Sequence, residues 1–266
     1  MLEQLLAKAQ LPVVVGLTAL LLWLESRRPL HPAHPQRVRH GAANLALFVI
    51  GTVVSGLAIQ KTFELAALER ELPLHRAGGE WVQLVAGVLL LDGFQYLRHR
   101  LMHRLPPLWR AHRVHHADPV LDVTSNYRLH PLDYGLAMIM NLAVVAALGV
   151  GGPALRLWLL LNGAVALLQH ANVRLPWAAE RAIRLVFASP GMHRVHHSRE
   201  VRETDTNFGS VFSFWDRLFG TYLRPDPSRN VPFGLAEFDA PEEQTVGALL
   251  TNPFREAPVP VVKPVP

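Results

Sequence analysis

Residues 41–60 are twenty consecutive positions without a charge, the length an α-helix needs to cross the hydrocarbon core of a bilayer. They predict a transmembrane helix. Residues 134–155 are likewise uncharged, and Gly149-Val150-Gly151-Gly152-Pro153 interrupts them before a second apolar stretch at 157–169. Gly and Pro at that density end helices, so the pattern predicts a helical hairpin entering and leaving the membrane. The glycines do not read as a phosphate loop, because no strand precedes them and no Lys-Ser/Thr pair follows. Residues 81–97 form another apolar run, with Asp92 as its one acid. Leu11 to Leu24 reads as a retained anchor, since Glu25-Ser26-Arg27-Arg28 follows in place of a small-residue cleavage site. The predicted spans are 5–25, 41–60, 80–98, 134–151 and 153–171.

Basic residues in short loops set orientation. Arg27, Arg28, Arg37 and Arg39 lie between the first two spans, whereas the 61–80 loop holds Glu64, Glu69, Glu71 and Glu80 against Lys61, Arg70 and Arg76. That predicts an external N-terminus, with 98–133 and everything after 172 on the cytoplasmic side of a multi-pass protein of a bacterial inner membrane. The expected fold is all-α, an integral membrane helical bundle of four to five spans with a cytoplasmic helical cap. It divides into an anchor region at 1–80, a domain at 81–224 and an extension at 225–266. The Pro-rich tail from Pro258 is expected to be extended and poorly ordered.

Composition sharpens this picture. The net charge of +5 and pI near 10.1 raise the question of nucleic acid, but the basic residues alternate with apolar runs, so a membrane is the expected partner and nucleic acid is not. The absence of cysteine excludes disulfides, iron–sulfur clusters, Cys-ligated zinc, thiolate-ligated haem and a cysteine nucleophile. Histidine is the anomaly: of 14, ten fall between His99 and His197.

Their spacing is ordered. His99 and His103 stand i, i+4 apart on the continuation of the 80–98 helix, so both imidazoles project from one face. His112-Arg113-Val114-His115-His116 follows, and 81 residues later His193-Arg194-Val195-His196-His197 repeats the same pentapeptide. Random placement predicts roughly 0.04 copies of such a motif, so composition does not account for two. Eight patterned imidazoles exceed what one tetrahedral or octahedral ion uses, and neutral imidazole suits iron, zinc, copper or nickel. Two metals are implied. Between Arg98 and His197 the acids are only Asp118, Asp122, Asp133 and Glu180, too few for the carboxylate-rich di-iron site of soluble bundles. His31, His34, His40 and His75 carry no such pattern and read as capping or core residues.

Asp92, Tyr96, His99 and His103 form one helical stripe. An acid inside a span needs a partner, and a metal-bound imidazole gives its second N–H to a carboxylate or carbonyl, so Asp92 is expected to take that proton from the first histidine pair.

These residues resemble the fatty acid hydroxylase and sterol desaturase superfamily of membrane di-iron enzymes over roughly residues 88–224. The resemblance rests on Asp92, Tyr96, His99-Arg100, His103, Leu108-Trp109, His112-x-x-His115-His116 and Arg128-x-His130-Pro131. It continues through His170-Ala-Asn172, Pro190-x-x-His193-x-x-His196-His197, Asn207-Phe208-Gly209 and Trp215 to Tyr222. It implies two Fe ions, replaceable by Zn in purified protein, held by His99, His103, His112, His115, His116, His193, His196 and His197, with His170 as a ninth ligand. His130 is implied as a ligand or an outer hydrogen-bond partner, and Asn207, Trp215 and Asp216 as closure of the cap. The implied activity is O2-dependent hydroxylation or desaturation of a C–H bond in a lipid or sterol-like substrate. Electrons would come from a separate reductase, since no haem or flavin domain fits in the residues left over. The substrate is expected to enter laterally between helices, with its polar end near Arg98, Arg100, Arg104 or Arg110. The residues alone also admit a di-zinc hydrolase, or a metal- or haem-binding membrane protein without enzymatic activity. Against the first stands the shortage of carboxylates; against the second, the position of the histidines outside the apolar runs and their number.

Overall fold

The computed structural model describes residues 2–32, 35–68, 73–74, 76, 78–228 and 230–256. Among these the fold is all-α, with isolated β-bridges and no strand. His34, His75 and the tail from Pro258 lie outside the described residues.

The first four helices are α1 (Leu2–Arg27), α2 (Arg37–Val54), α3 (Gly56–Ala66) and α4 (Glu80–Arg104). The predicted 41–60 span is not one straight rod: α2 and α3 meet at Ser55 with a bend of 60°. Ser55 and Gly56 supply little helix propensity, and beyond the break α3 packs along the second half of the molecule. A short helix, α5 (Pro106–His116), follows α4 and opens on two prolines, which are tolerated in a first helical turn.

The predicted hairpin is present as α6 (Pro131–Leu148) and α7 (Gly152–His170). Pro131 opens α6, while Gly149, at φ 75°, closes it in the left-handed conformation that glycine adopts without strain. The cap contains α8 (Trp177–Val186), α9 (Pro190–His196), α10 (Val201–Thr204), α11 (Phe214–Leu218) and α12 (Val246–Thr251). Ser189 caps α9 by accepting from the Met192 N–H.

By length and apolarity α1 and α6 can each cross a membrane, and the bent α2–α3 pair makes a third candidate. The chain is thus a membrane protein with two to three apolar spans, and the expectation of four to five is met only in part. Helices α4 and α7 do cover the predicted 80–98 and 153–171 segments, but α4 carries Asp92 and Arg98, and α7 carries Arg156 and Asn162. These two pack closely against each other. A Cβ on Gly87 would come within 2.7 Å of Ala154 Cβ, so a small residue is what lets the helices approach. Leu91, Val145, Leu155 and Trp158 fill the space between α4, α6 and α7.

Three polar ties hold the cap against the helix ends. Glu25, at the end of α1, accepts from the backbone N–H groups of Val123 and Asn172. Gln169 Nε2 donates to the carbonyls of Ala188, Gly209 and Ser210. His40, which had read as a structural histidine, is buried against Asp118 at 2.9 Å and Asp122 at 3.4 Å. The helix ends and the cap are thereby fixed as one platform.

Candidate metal centre

Nine histidines gather on that platform in two adjacent groups. His99, His103, His112, His116 and His196 form the first, and His115, His170, His193 and His197 the second, with the potential ligand atoms of each group within 4.8 Å of one another. None of the nine is more than 7% exposed. Each pentapeptide divides between the groups: His112 and His116, one turn apart, join the first while His115 turns to the second, and His193 and His197 join the second while His196 turns to the first. The groups share a wall, where the His116 and His197 rings stack at 4.5 Å. Trp109 packs against His103 and His116, and Phe208 against His99, His103 and His196, so aromatic rings seal the first group from solvent.

Outer hydrogen bonds settle which ring nitrogen is free. A carbonyl oxygen only accepts, so the Nδ1 atoms facing carbonyls carry the protons. His99 Nδ1 donates to Phe208 O (3.0 Å), His115 Nδ1 to Arg128 O (3.3 Å), His170 Nδ1 to Ala166 O (2.7 Å) and His196 Nδ1 to Thr206 O (2.8 Å). His112 and His103 donate in the same way to carboxylates, at 2.7 Å to Asp133 and 3.3 Å to Asp205. Every one of these rings is left with an Nε2 lone pair turned inward. The Nε2 atoms of His99, His103, His112 and His196 have no hydrogen-bond partner, nor does either nitrogen of His116 or His197. Two lone pairs, those of His115 and His170, confront each other at 3.2 Å.

Buried acceptors without donors, and acceptors facing acceptors, are costly unless a cation lies among them. Burial, more than any neighbour, pushes His115, His116, His193 and His197 far below the usual imidazole range and His196 down to about 3. These five side chains are therefore neutral and ligand-ready, and protons are not what they bind. Convergent imidazole lone pairs backed by N–H···O bonds are the donor set of a transition-metal site. The residues fit two metal ions, one per group; nothing in the donor set distinguishes iron from zinc.

The other expected site residues stand outside the two groups. His130 caps α6, its Nδ1 accepting from the Leu132 N–H and its Nε2 donating to Leu250 O, so both nitrogens are engaged. Asp92 corrects an expectation, because it takes no proton from a histidine. It accepts from the backbone of Val211 and Phe212, both at 3.1 Å, and from Trp215 Nε1 at 2.8 Å. The helical stripe is real, but the 208–216 segment lies between Asp92 and the imidazoles, and Phe208 O is the acceptor His99 uses. Tyr96 donates or accepts at Thr221 Oγ1 and stacks on Phe219. Asp216 accepts from the N–H groups of Phe208 and Gly209, and Asn207 from that of Leu223, which closes the cap as expected. Arg98 is buried and pairs with Asp133 at 2.6 Å.

Sequence reasoning missed Asp133 and Asp205 as imidazole partners. Asp133 bridges Arg98 and His112, and the signal for it was available, as it is one of only four acids between Arg98 and His197.

No solved structure matches the chain. An ornithine lipid hydroxylase, OlsE, of Rhizobium tropici is 31% identical over 154 residues, covering 58% of this chain and 45% of that protein. A cholesterol 25-hydroxylase-like protein of Danio rerio is 33% identical, covering 52% and 54%, and a methylsterol monooxygenase (1-3) of Arabidopsis thaliana is 30% identical, covering 66% and 60%. The chain thus spans about half the length of the first two relatives. The fatty acid hydroxylase family model matches residues 84–221, a stretch that runs from α4 to the end of the cap segment held by Asp216 and contains all nine clustered histidines; this chain belongs to the fatty acid hydroxylase family.

Proposed function

We propose that this protein is a membrane-bound non-haem di-iron oxygenase that uses O2 to hydroxylate or desaturate a C–H bond of a lipid or sterol-like substrate. The observation that carries the proposal is the pair of buried, carboxylate-free imidazole groups, each backed by outer hydrogen bonds. His99, His103, His112, His116 and His196 would hold one iron, and His115, His170, His193 and His197 the other. Iron held there would supply O2 activation, chemistry that no side chain provides.

The protein's own contribution is geometry and exclusion. A cavity of about 450 Å³ lies between α1, α4, α6 and α7, and Arg98 and Asp133 stand in its wall at the histidine end. An apolar substrate entering between these helices is led toward His112 through the residue that orients it. Trp109 and Phe208 keep bulk water from the first group, which protects a reactive oxidant from side reactions. A di-zinc hydrolase would need a carboxylate among the inner donors, and neither group contains one.

The relatives' names support a lipid or sterol substrate. Positive loop residues favour a cytoplasmic cap, within reach of a separate reductase, in a bacterial inner membrane, with α4 and α7 completing five membrane-embedded helices. The test is lipid analysis of cells with and without the chain, grown under 18O2. The expected result is a chain-dependent lipid carrying one labelled oxygen, or lacking two hydrogens; no such lipid in cells that contain iron-loaded protein refutes the assignment. Reporter fusions after Arg110 and Arg224 are expected to give cytoplasmic signals, and one near Gly78 an external signal.

A further inference from the structure

The cavity between α1, α4, α6 and α7 is walled mainly by apolar side chains, Leu159, Met138 and Phe48 among them, yet carboxamides also line it, among them Asn141 on α6 and Asn162 on α7. Asn141 is only 6% exposed and Asn162 is half-buried. An asparagine inside an apolar helix ordinarily bonds across to a neighbouring helix. Here neither side chain has a hydrogen-bond partner among the described residues, whereas Arg98 is engaged with Asp133 and Gln95 with Arg98. A carboxamide is left unfavourably unpaired when a wholly apolar ligand displaces water from it. Two of them on one cavity wall are a feature that a purely hydrocarbon ligand would never satisfy.

Their depth is matched. Asn141 lies eight residues beyond Asp133, which holds His112, and Asn162 lies eight residues before His170. Helices α6 and α7 are antiparallel, so at about 1.5 Å per residue both carboxamides stand roughly 12 Å along their helices from the metal centre. Both line the same cavity, so a ligand filling it passes both carboxamides.

We infer that the substrate carries a hydrogen-bonding group inside its chain, of the donor-plus-acceptor kind found in a secondary amide, and that Asn141 and Asn162 bind this group about 12 Å from the reacting carbon. The inference rests on reading the cavity as the lipid site of the proposed oxygenase, and it narrows the substrate to lipids with such a group. Carboxamide pairs suit it because each side chain offers both a donor and an acceptor, matching the N–H and C=O of an amide. A site built around such bonds rejects the analogue that lacks them more strongly than an apolar pocket rejects an extra polar group.

Binding decides the matter without turnover. Full-length metal-loaded protein in detergent would be titrated with an N-alkyl fatty amide and with the chain of equal length in which two methylenes replace the amide. The wild-type protein is expected to bind the amide at least about tenfold more tightly. Asn141→Leu and Asn162→Leu are expected to bring the two affinities together while metal content stays at the wild-type level. Equal affinities in the wild-type protein, or a preference that survives in both variants, overturns the inference. Should Asn141→Leu fail to fold, the half-buried Asn162 carries the test alone. A protein that prefers the amide but inserts no oxygen would retain this inference and lose the oxygenase reading, so the two fail separately.

Discussion

Replacing Asp133 with Asn tests the coupling between fold and metal centre at one atom pair. Asp133 is 1% exposed; one carboxylate oxygen accepts from Arg98 at 2.6 Å and the other from His112 Nδ1 at 2.7 Å. The amide keeps the shape and removes the charge, so the buried Arg98 guanidinium loses its counter-ion. Breaking one side of a buried pair costs about 3–5 kcal/mol, and Asn can still accept one bond, which puts the expected loss near the lower end. Separately, His112 loses the partner that holds its Nδ1 proton and aims its Nε2, an effect worth about 10- to 100-fold in metal affinity. The two losses separate in a double variant. Arg98→Met with Asp133→Asn leaves no unpaired charge, so melting temperature should recover most of what Asp133→Asn alone gives up, while competition with a chelator should still report weak metal binding. If Asp133→Asn retains wild-type melting and wild-type metal affinity, the carboxylate neither pairs Arg98 nor positions His112, and the account of the first group is wrong.

Asp92→Ala should lower stability by about 1–3 kcal/mol, because three donors of the 211–215 segment lose their acceptor; a melt matching the wild type contradicts this. His130→Ala should cost about 1 kcal/mol through the lost α6 cap and leave metal content unchanged, whereas His115→Ala should cost one metal, both read by elemental analysis. Gly87→Val forces β-carbon atoms of α4 and α7 into a 2.7 Å contact, and thermal melting should show a loss of about 1–3 kcal/mol. Chelator treatment should lower the melting temperature of wild-type protein, since metal binding stabilises the folded state by mass action.

Much of the site was legible because helical spacing is rigid. The i, i+4 relation of His99 to His103, His112 to His116 and His193 to His197 puts each pair on one face, and these pairs are the scaffold of the two groups. What spacing leaves open is which group the middle histidine of each pentapeptide joins, since His115 and His196 leave on another face and find partners by tertiary packing. The outer acceptors were mostly hidden for the same reason: Phe208, Thr206 and Arg128 contribute backbone oxygens, which no side-chain pattern reveals. Asp92 was misassigned because a helical stripe gives direction but not distance, and the 208–216 segment, with Trp215 on α11, fills the gap. The hairpin turn at Gly149 was legible, as glycine and proline there leave little alternative. The break at Ser55 was not, because an uncharged run looks the same whether straight or bent.

The central claim is that nine imidazoles hold two ions as two separate groups. Anaerobic reconstitution with iron, followed by elemental analysis and X-ray absorption, tests it most directly. The account predicts two irons per chain in nitrogen-dominated shells, with metal–nitrogen distances of about 2.0–2.2 Å, falling to one iron in His115→Ala, whose remaining partners are the other three members of the second group. A single iron per chain in fully active wild-type protein would contradict it.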